Sequence, residues 1–310
     1  MSQPDHISMS SEYAYHIPVM LKQAVDALSV KPDGIYVDCT FGGGGHSREI
    51  LSRLGPNGRL IVFDQDPAAK VNLPQDERII FIEHNFRHLS RFLRLSNADK
   101  VDGLMADLGV SSRQFDDAAR GFSIRFEGPL DMRMDPSQTK TAAMVIQQYS
   151  QEDLHRIFER YGEVTNAKSL AVAIVQRRSV TPLQTILQFK QTFHDMVKGN
   201  PHKYWAQVFQ ALRIDVNDEL QALEDLLTQL PSVMKPGGRI AIISFHSLED
   251  RIVKKFFKEE IHPEDDHPFS RETRQRMFKV ITKKPIEPDP EEIKSNPRSR
   301  SARLRVAEKL

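Results

Sequence analysis

The chain has 310 residues, of which 39% are hydrophobic and 27% are charged, a composition that is typical of a soluble globular protein and excludes a disordered one. Its 43 lysines and arginines balance its 42 aspartates and glutamates, so the overall charge does not indicate a nucleic-acid-binding protein. The single cysteine, Cys39, excludes an intramolecular disulfide, and the lack of any apolar run near ~18 residues predicts a cytoplasmic protein without membrane contact.

Apolar runs bounded by turn residues predict strands that alternate with helical patterns. The predicted strands are 34–38, 59–63, 78–82, 101–106, 239–243, 278–282 and 302–307. Parallel strands are joined by right-handed crossovers that contain a helix. We therefore predict an α/β fold with a mostly parallel sheet.

This alternation breaks between residues 113 and 213, where apolar spacing predicts helices and no strand. Across the chain, the predicted helices are 86–95, 152–161, 167–178, 182–198, 204–214, 218–230 and 247–260, the last beginning with a capping box at Ser247–Asp250. A tight turn is predicted at 235–238. We predict a sheet domain of residues 1–112 and 214–310, interrupted by a helical insertion domain of residues 113–213.

Four consecutive glycines, Gly42–Gly45, follow the first predicted strand and precede a helix. Such bare backbone suits close approach to a ligand beyond the carboxyl ends of parallel strands. A P-loop would need a lysine after the glycines, and the dinucleotide fingerprint would need a third glycine where Ser47 or Arg48 stands. An S-adenosylmethionine site remains, because this cofactor carries no phosphate and the third glycine is not required. A glycine turn that binds nothing is the alternative.

Polar and aromatic residues follow the other predicted strands. Asp64 ends the second strand, nineteen residues after Gly45, and suits a carboxylate that accepts both ribose hydroxyls. Phe86 follows the third strand, where an adenine ring would lie, and Asp107 ends the fourth, where the methyl group would be presented. The recurrence of carboxylates at strand ends favours the cofactor site.

Several long segments resemble one known family. They are HIPVMLKQAV, DCTFGGGGHS, DLGVSSRQFDD, RGFS, GPLDMRMD, FQALRIDVNDEL, ISFHSLEDRIVK and NPRSRSARLR, and they span His16 to Arg305. Together they are similar to the bacterial ribosomal RNA small-subunit methyltransferase H (MraW) family. The resemblance implies a class I, Rossmann-like methyltransferase fold interrupted by a helical recognition domain. It also implies S-adenosyl-L-methionine-dependent methylation of N4 of a cytidine in the decoding centre of 16S rRNA, within the small ribosomal subunit.

The family's cofactor-binding positions carry over by this resemblance to seven residues: Gly44, Gly45, His46, Asp64, Phe86, Asp107 and Gln114. The expected catalytic group is Asp107, or backbone carbonyls just after it, which would accept hydrogen bonds from the amine. Phe245 is a candidate for stacking on the base, and His246 for orienting it. No metal is expected.

Two other functions stay open. DNA amino-methyltransferases carry Pro-Pro-aromatic after the residue equivalent to Asp107, but here Leu-Gly-Val follows it. An RNA-binding assembly factor with a vestigial cofactor site is disfavoured by the intact Asp64 and Asp107. A homodimer is neither predicted nor excluded. Pyrimidine C5 methylation would use a thiolate, but Cys39 is predicted to pack in the core.

Two regions suggest RNA contact. The loop 121–135 contains Arg125 and Arg133 and follows Arg120 directly, and apolar side chains lie among these arginines, a mixture that suits phosphates beside a base. The segment 269–310 has twelve lysines and arginines against six acidic residues, which suits either an RNA-facing patch or a solvated surface. Trp205 and Phe209, one helical turn apart, are predicted to lie in the core.

Overall fold

The computed structural model describes residues 18–261 and 275–310. The strands are β1 (Ile35–Asp38), β2 (Arg59–Phe63), β3 (Ile79–Ile82), β4 (Val101–Asp107), β5 (Met234–Ser244), β6 (Glu260–Ile261), β7 (Gln275–Arg276), β8 (Phe278–Val280) and β9 (Arg303–Lys309). The α-helices are α1 (Leu21–Leu28), α2 (Gly45–Arg53), α3 (Leu89–Leu95), α4 (Ser112–Asp116), α5 (Ala142–Gln148), α6 (Gln151–Arg160), α7 (Ala167–Arg177), α8 (Ile186–Thr192), α9 (Pro201–Asn217), α10 (Glu219–Val233), α11 (Ser247–Phe257) and α12 (Pro290–Ser295). The predicted sheet domain includes residues 1–17 and 262–274, which lie outside the described residues.

Seven strands form one sheet in the order β3-β2-β1-β4-β5-β9-β8. Strands β1 to β5 pair in parallel, and β9 pairs antiparallel with both β5 and β8. The predicted α/β fold with a mostly parallel sheet is therefore confirmed. The strand order reverses between β1 and β4, and in open sheets of this kind ligands bind at the carboxyl ends beside that reversal.

Alternate residues of the strands face two hydrophobic cores, one on each side of the sheet. Val37 and Ile61 face the core that contains α3 and α10, whereas Tyr36 and Leu60 face the core that contains α1 and α2. Burial on both faces explains why the strands appear in the sequence as continuous apolar runs. Cys39 lies in the first core and is 2% exposed, so its prediction as a core residue is confirmed.

Two local predictions are wrong: the tight turn at 235–238 and the first residue of the capping box of α11. Residues 235–238 form a bulge inside β5, because Met234 already pairs with Val101 before Arg239 pairs with Gly103. The capping box of α11 begins one residue before the predicted position. The ring of His246 accepts a hydrogen bond from the backbone N–H of Glu249. Histidine is not among the preferred N-cap residues, so the sequence pattern predicts Ser247 as the cap.

The single helix predicted at 182–198 is also wrong. The chain stays extended to Thr185, whose hydroxyl caps α8 in a capping box with Gln188, and α8 ends at Thr192. Helices α1 and α5 were not predicted.

The helices between α5 and α9 surround a third hydrophobic core that contains residues from Phe122 to Val216 and no strand. Trp205 and Phe209 are 6% and 4% exposed within it, which confirms their predicted core location. Across residues 18–261 and 275–310, no helix is both long and apolar enough to cross a membrane.

Candidate functional site

The glycine loop lies between β1 and α2, beside the point where the strand order reverses. Gly42 and Gly44 have φ values of +50° and +72°, the left-handed region that a residue with a Cβ rarely adopts. A Cβ on Gly45 would lie 2.0 Å from Cγ of Pro18, whereas a Cβ on Gly43 would meet no atom within 4 Å. One side of the loop is therefore packed under residue 18, and the other side is open to a ligand.

Asp64 follows β2 and points at this loop. Its Oδ2 accepts a hydrogen bond from the backbone N–H of Gly42 at 2.7 Å, and its Oδ1 accepts one from Asp66 at 2.8 Å. Burial, which outweighs these hydrogen bonds, raises the pKa of Asp64 to about 6. Each oxygen keeps a second lone pair, so the carboxylate can still accept two hydroxyl groups of a ligand.

Asp107 ends β4 and contains the most unusual polar atom of the site. Its backbone N–H donates to Oγ1 of Thr40 at 2.7 Å, which fixes the strand end against the loop after β1. Its Oδ1 is buried and has no hydrogen-bond partner within the described residues. Burial, reinforced by the charges of Asp38 and two glutamates, raises the pKa of Asp107 well above its usual range. Because buried polar atoms are nearly always paired, this oxygen marks a place for a hydrogen-bond donor.

His46 lies beside Asp107 in the first turn of α2. Its ring is buried, and Nε2 lies 3.0 Å from the carbonyl oxygen of Val19, so Nε2 carries the proton that is donated. Nδ1 therefore faces Oδ2 of Asp107, at 3.9 Å, as an acceptor. Burial lowers the pKa of His46. His46 thus ties residue 19 to the loop and leaves one ring nitrogen directed at the carboxyl group.

Asp38 and Ser47 also stabilise this loop, and neither was predicted to belong to the site. Asp38 is 1% exposed, and its two oxygens accept hydrogen bonds from Oγ of Ser47 at 2.6 Å and from the backbone N–H of Thr40 at 3.0 Å. Asp38 lies inside strand β1, and its position gives no local sign of a polar contact with α2. The spacing of nine residues to Ser47, across a loop into a helix, was the available signal.

Gln114 and Phe86 approach the site from the other elements. Gln114 is buried: its Oε1 accepts from the N–H of Ser111, and its Nε2 donates to Oδ2 of Asp66 at 2.9 Å. Arg120 donates to the same oxygen at 2.6 Å, so Asp66 joins the sheet to the start of the helical region. Phe86 begins the 3₁₀ helix Phe86–His88 after β3 and is partly buried against the sheet core.

Phe245 and His246 follow β5, the strand next to β4. Phe245 is half-buried against the core beneath the sheet, and Nε2 of His246 is buried 3.3 Å from Oε1 of Glu249. Glu249 is 3% exposed, and burial alone would raise its pKa. Interactions with His246 and with the charge of Arg213 instead lower it, so Glu249 is ionised.

Arg213 brings the helical region into this cluster. It donates from Nε and from an Nη to the two carboxylate oxygens of Glu219, at 2.8 and 3.0 Å. Ligand-type atoms of Glu219, His246 and Glu249 lie within 4.8 Å of one another, a spacing that would suit a cation. Arg213 already supplies positive charge there, so the arrangement fits a buried ion network.

The loop arginines have protein partners. Arg133 forms a two-pronged contact with Asp131 at 2.6 to 2.9 Å, and Arg120 also donates to the carbonyls of residues 133 and 134. Arg125 and Phe126 are exposed. Of the predicted RNA-contacting arginines, Arg125 alone projects into solvent, and the other two brace the loop.

The features of the site fit the predicted cofactor. The open side of the glycine loop, the acceptor pair on Asp64 and the unpaired oxygen of Asp107 lie at the carboxyl ends of three adjacent strands, β2, β1 and β4. An adenosine with an amino acid chain offers hydroxyl and ammonium donors to these acceptors. The residues present therefore suit S-adenosylmethionine.

Comparison with known proteins agrees with this geometry. The MraW methylase family model matches residues 13–310. A ribosomal RNA small subunit methyltransferase H from Cytophaga hutchinsonii is 50% identical over 299 residues, which cover 95% of this chain and 99% of that protein. A protein of the same name from Flavobacterium johnsoniae is 49% identical over 306 residues, which cover 97% and 100%. Because both kinds of match extend over nearly the whole sequence, the chain belongs to the MraW methylase family, as its motifs predicted.

Proposed function

We propose that this chain transfers a methyl group from S-adenosylmethionine to the exocyclic N4 amine of a cytidine in the decoding centre of 16S rRNA. The observation that carries the proposal is the buried, unpaired Oδ1 of Asp107 at the end of β4, which needs a donor such as an amine N–H. The names of the relatives from Cytophaga hutchinsonii and Flavobacterium johnsoniae support a ribosomal RNA of the small subunit as the substrate. Nitrogen rather than carbon as the acceptor agrees with a buried Cys39, whose thiol pKa is raised by burial.

The cofactor would be held by the carboxylate of Asp64 through its ribose hydroxyls, by the bare backbone of Gly44 and Gly45, and by Phe86 beside its adenine. Gln114 and His46 would close the site, each already fixed by a partner in the protein. When bound, the cofactor supplies a methyl group that its sulfonium has already activated. The protein's task is therefore alignment and control of the amine rather than covalent catalysis.

Asp107 would act on the cytosine amine. The lone pair of this amine is delocalised into the ring, which makes the nitrogen a poor nucleophile. An acceptor on its N–H group favours a pyramidal nitrogen with a localised lone pair, and the nitrogen must lose a proton once it is methylated. Ionised Asp107 can accept that proton, and Nδ1 of His46 is a nearby second acceptor. Phe245, one strand further along the sheet, would stack on the base, and His246 would orient it.

The helical residues 113–213 form the recognition domain in this proposal, and the remaining chain forms the methyltransferase domain. Support comes from their strand-free hydrophobic core and from the ion network in which Arg213 reaches the end of β5. Through this contact, RNA that is bound by the helices would be held in a defined position relative to Asp107.

The function is tested on small ribosomal subunits from a strain that lacks the gene. Subunits incubated with the protein and cofactor are digested to nucleosides and analysed by mass spectrometry. N4-methylcytidine is expected to appear, and only with cofactor present. A methyl group on another base, on a ribose oxygen or on control DNA duplexes would contradict the proposal, as would the absence of cofactor binding in calorimetry.

The assembled small subunit is expected to be methylated faster than protein-free 16S rRNA. Affinity for free RNA depends on the number of phosphates that the protein neutralises, and this chain has a net charge of +1 with several loop arginines engaged internally. Selectivity must then come from the folded shape of the RNA. Transfer of labelled methyl groups at equal salt measures both rates; equal rates would indicate recognition of local RNA sequence instead.

Cofactor binding is expected to weaken as the pH falls through about 6, the pKa of Asp64. Protonation removes an acceptor for the ribose hydroxyls, so the affinity at pH 5 should be roughly tenfold below its plateau above pH 7. Asp64→Ala should lose about 1–3 kcal/mol of binding at neutral pH. Calorimetry across this pH range should show the inflection in the wild type and a flat profile in Asp64→Asn. An unchanged inflection in Asp64→Asn would assign it to another group.

A further inference from the structure

A polar cavity of about 340 Å³ lies at the carboxyl end of β5, outside the set of residues assigned to the cofactor. One wall is formed by Phe245–Ser247 at the start of α11, and the other by Arg300–Arg303, which leads into β9. Glu287 also lines it. The lining includes two arginines against one carboxylate, so its formal charge is positive and suits an anionic ligand.

The sheet register locates this cavity relative to the chemistry. Asp107 of β4 pairs with Ile243 of β5, and Ser244 pairs with Arg303 of β9. The cavity therefore begins two residues beyond the partner of Asp107. It lies on the β5–β9 side of that residue, whereas the glycine loop and Asp64 lie on the β1–β2 side. A ligand in the cavity would flank the acceptor nucleotide.

The two arginines of the cavity differ from the paired arginines elsewhere. Arg300 is exposed, and no carboxylate among residues 18–261 and 275–310 pairs with it. Arg303 lies 3.5 Å from Asp250, but Asp250 is already held by Arg305 through two closer contacts of 2.6 and 3.0 Å. Both guanidinium groups therefore keep donors for a ligand.

The segment that presents these arginines is rigidly held. Arg298 forms an ion pair with Asp116 and lies 4.9 Å from the ring centre of Phe115, which fixes the 3₁₀ helix Pro297–Ser301 against α4. Ser299 is fully buried, and its hydroxyl donates to the carbonyl of Asn296 at 2.8 Å. Two arginines and two serines that line one cavity can together bind a phosphate through several hydrogen bonds.

We propose that this cavity binds a backbone phosphate of the RNA strand next to the methylated nucleotide, with Arg300 and Arg303 as its cationic ligands and Ser247 and Ser301 as hydroxyl donors. The inference rests on the proposed RNA substrate. Phosphate contacts set the register of a strand, so this contact would hold the target base in line with Asp107. The two aromatic rings on the lining, Phe245 and His246, are those proposed for the target base, so a phosphate held by Arg300 and Arg303 would lie beside that base.

The test measures how binding to the small subunit depends on salt. Binding of hypomodified small subunits is titrated in monovalent salt at fixed magnesium, for the wild type, Arg300→Gln and Arg303→Gln. Each lost phosphate contact should reduce the slope of log K against log salt by about 0.7–0.9. We expect this full reduction, with a roughly tenfold weaker affinity near 0.1 M salt, when both substitutions are combined, and a smaller reduction in each single variant because the other arginine remains on the phosphate. Cofactor affinity, measured by calorimetry, should be unchanged.

Arg94→Gln is the matched control, because Arg94 is also exposed but lies on α3, away from the cavity. It should leave the slope unchanged. Unchanged slopes in both cavity variants would overturn the proposal while leaving the proposed function intact. A wild-type protein that binds cofactor but no small subunit would instead contradict the function itself.

Discussion

Asp107→Asn is expected to slow methyl transfer by about 10²–10⁴-fold, the range that a positioned acid or base contributes. Asparagine keeps the size of the side chain but cannot accept the proton that the methylated amine releases. The fold should tolerate the change, because Oδ1 of Asp107 has no partner within the described residues and its charge is opposed by burial. Single-turnover transfer at saturating cofactor and small subunit measures the chemical step directly.

Asp38→Asn is the informative comparison for that experiment. Asp38 is equally close to the glycine loop, but both of its oxygens are hydrogen-bonded, to Ser47 and to Thr40. Its substitution should lower stability and cofactor affinity together. Asp107→Asn should spare stability and reduce the rate, and it should change cofactor affinity less than Asp38→Asn because asparagine keeps one acceptor oxygen. A variant Asp107→Asn with a wild-type rate would remove this carboxylate from the mechanism and leave backbone carbonyls after β4 as the acceptors.

The parts of the site that could be predicted are those whose position follows from a short stretch of sequence. Asp64 and Asp107 follow apolar runs that each form one strand, so their place at the carboxyl edge of the sheet follows from local pattern alone. The glycines predicted bare backbone for a ligand, and the left-handed φ values of Gly42 and Gly44 are an additional observation. Their assignment to particular ligand groups came from the family resemblance and remains a proposal.

Contacts between distant segments could not be predicted in this way. Val19 binds His46 across 27 residues, and Arg213 meets Glu219 only because α9 ends in a left-handed turn at Asp218 that reverses the chain. The position of β9 between β5 and β8 has the same cause, because pairing of strands far apart in sequence leaves no local periodicity. Of the three arginines predicted to contact RNA, Arg120 and Arg133 pair with nearby carboxylates, whereas Arg125 is exposed.

Arg213→Met is expected to destabilise the protein by about 3–5 kcal/mol, the usual result of removing one partner from a buried ion pair. Arg213 and Glu219 have side-chain exposures of 19% and 9%, and ionised Glu249 depends on the same positive charge. Methionine retains most of the apolar stem, so the loss should reflect charge rather than packing. Urea unfolding measures the free energy of unfolding. Arg156→Met is the control, because the side chains of Arg156 and Asp153 are 55% and 37% exposed and their ion pair should contribute less than about 1 kcal/mol.

The pH dependence of that loss separates uncompensated charge from a packing defect. Without Arg213, the carboxylate of Glu249 loses one of the charges that lower its pKa, so burial should raise the pKa of Glu249 and the folded state should bind a proton more tightly than the unfolded state. Stability then falls as the pH rises from the unfolded pKa to the raised folded one. The deficit of Arg213→Met should therefore be smaller at pH 5 than at pH 8, and Arg213→Met with Glu219→Gln should recover part of it. If the loss of stability in Arg213→Met is equal at both pH values and is not relieved by Glu219→Gln, the arginine acts through packing. The contact between the helical region and the residues after β5 would then not depend on charge.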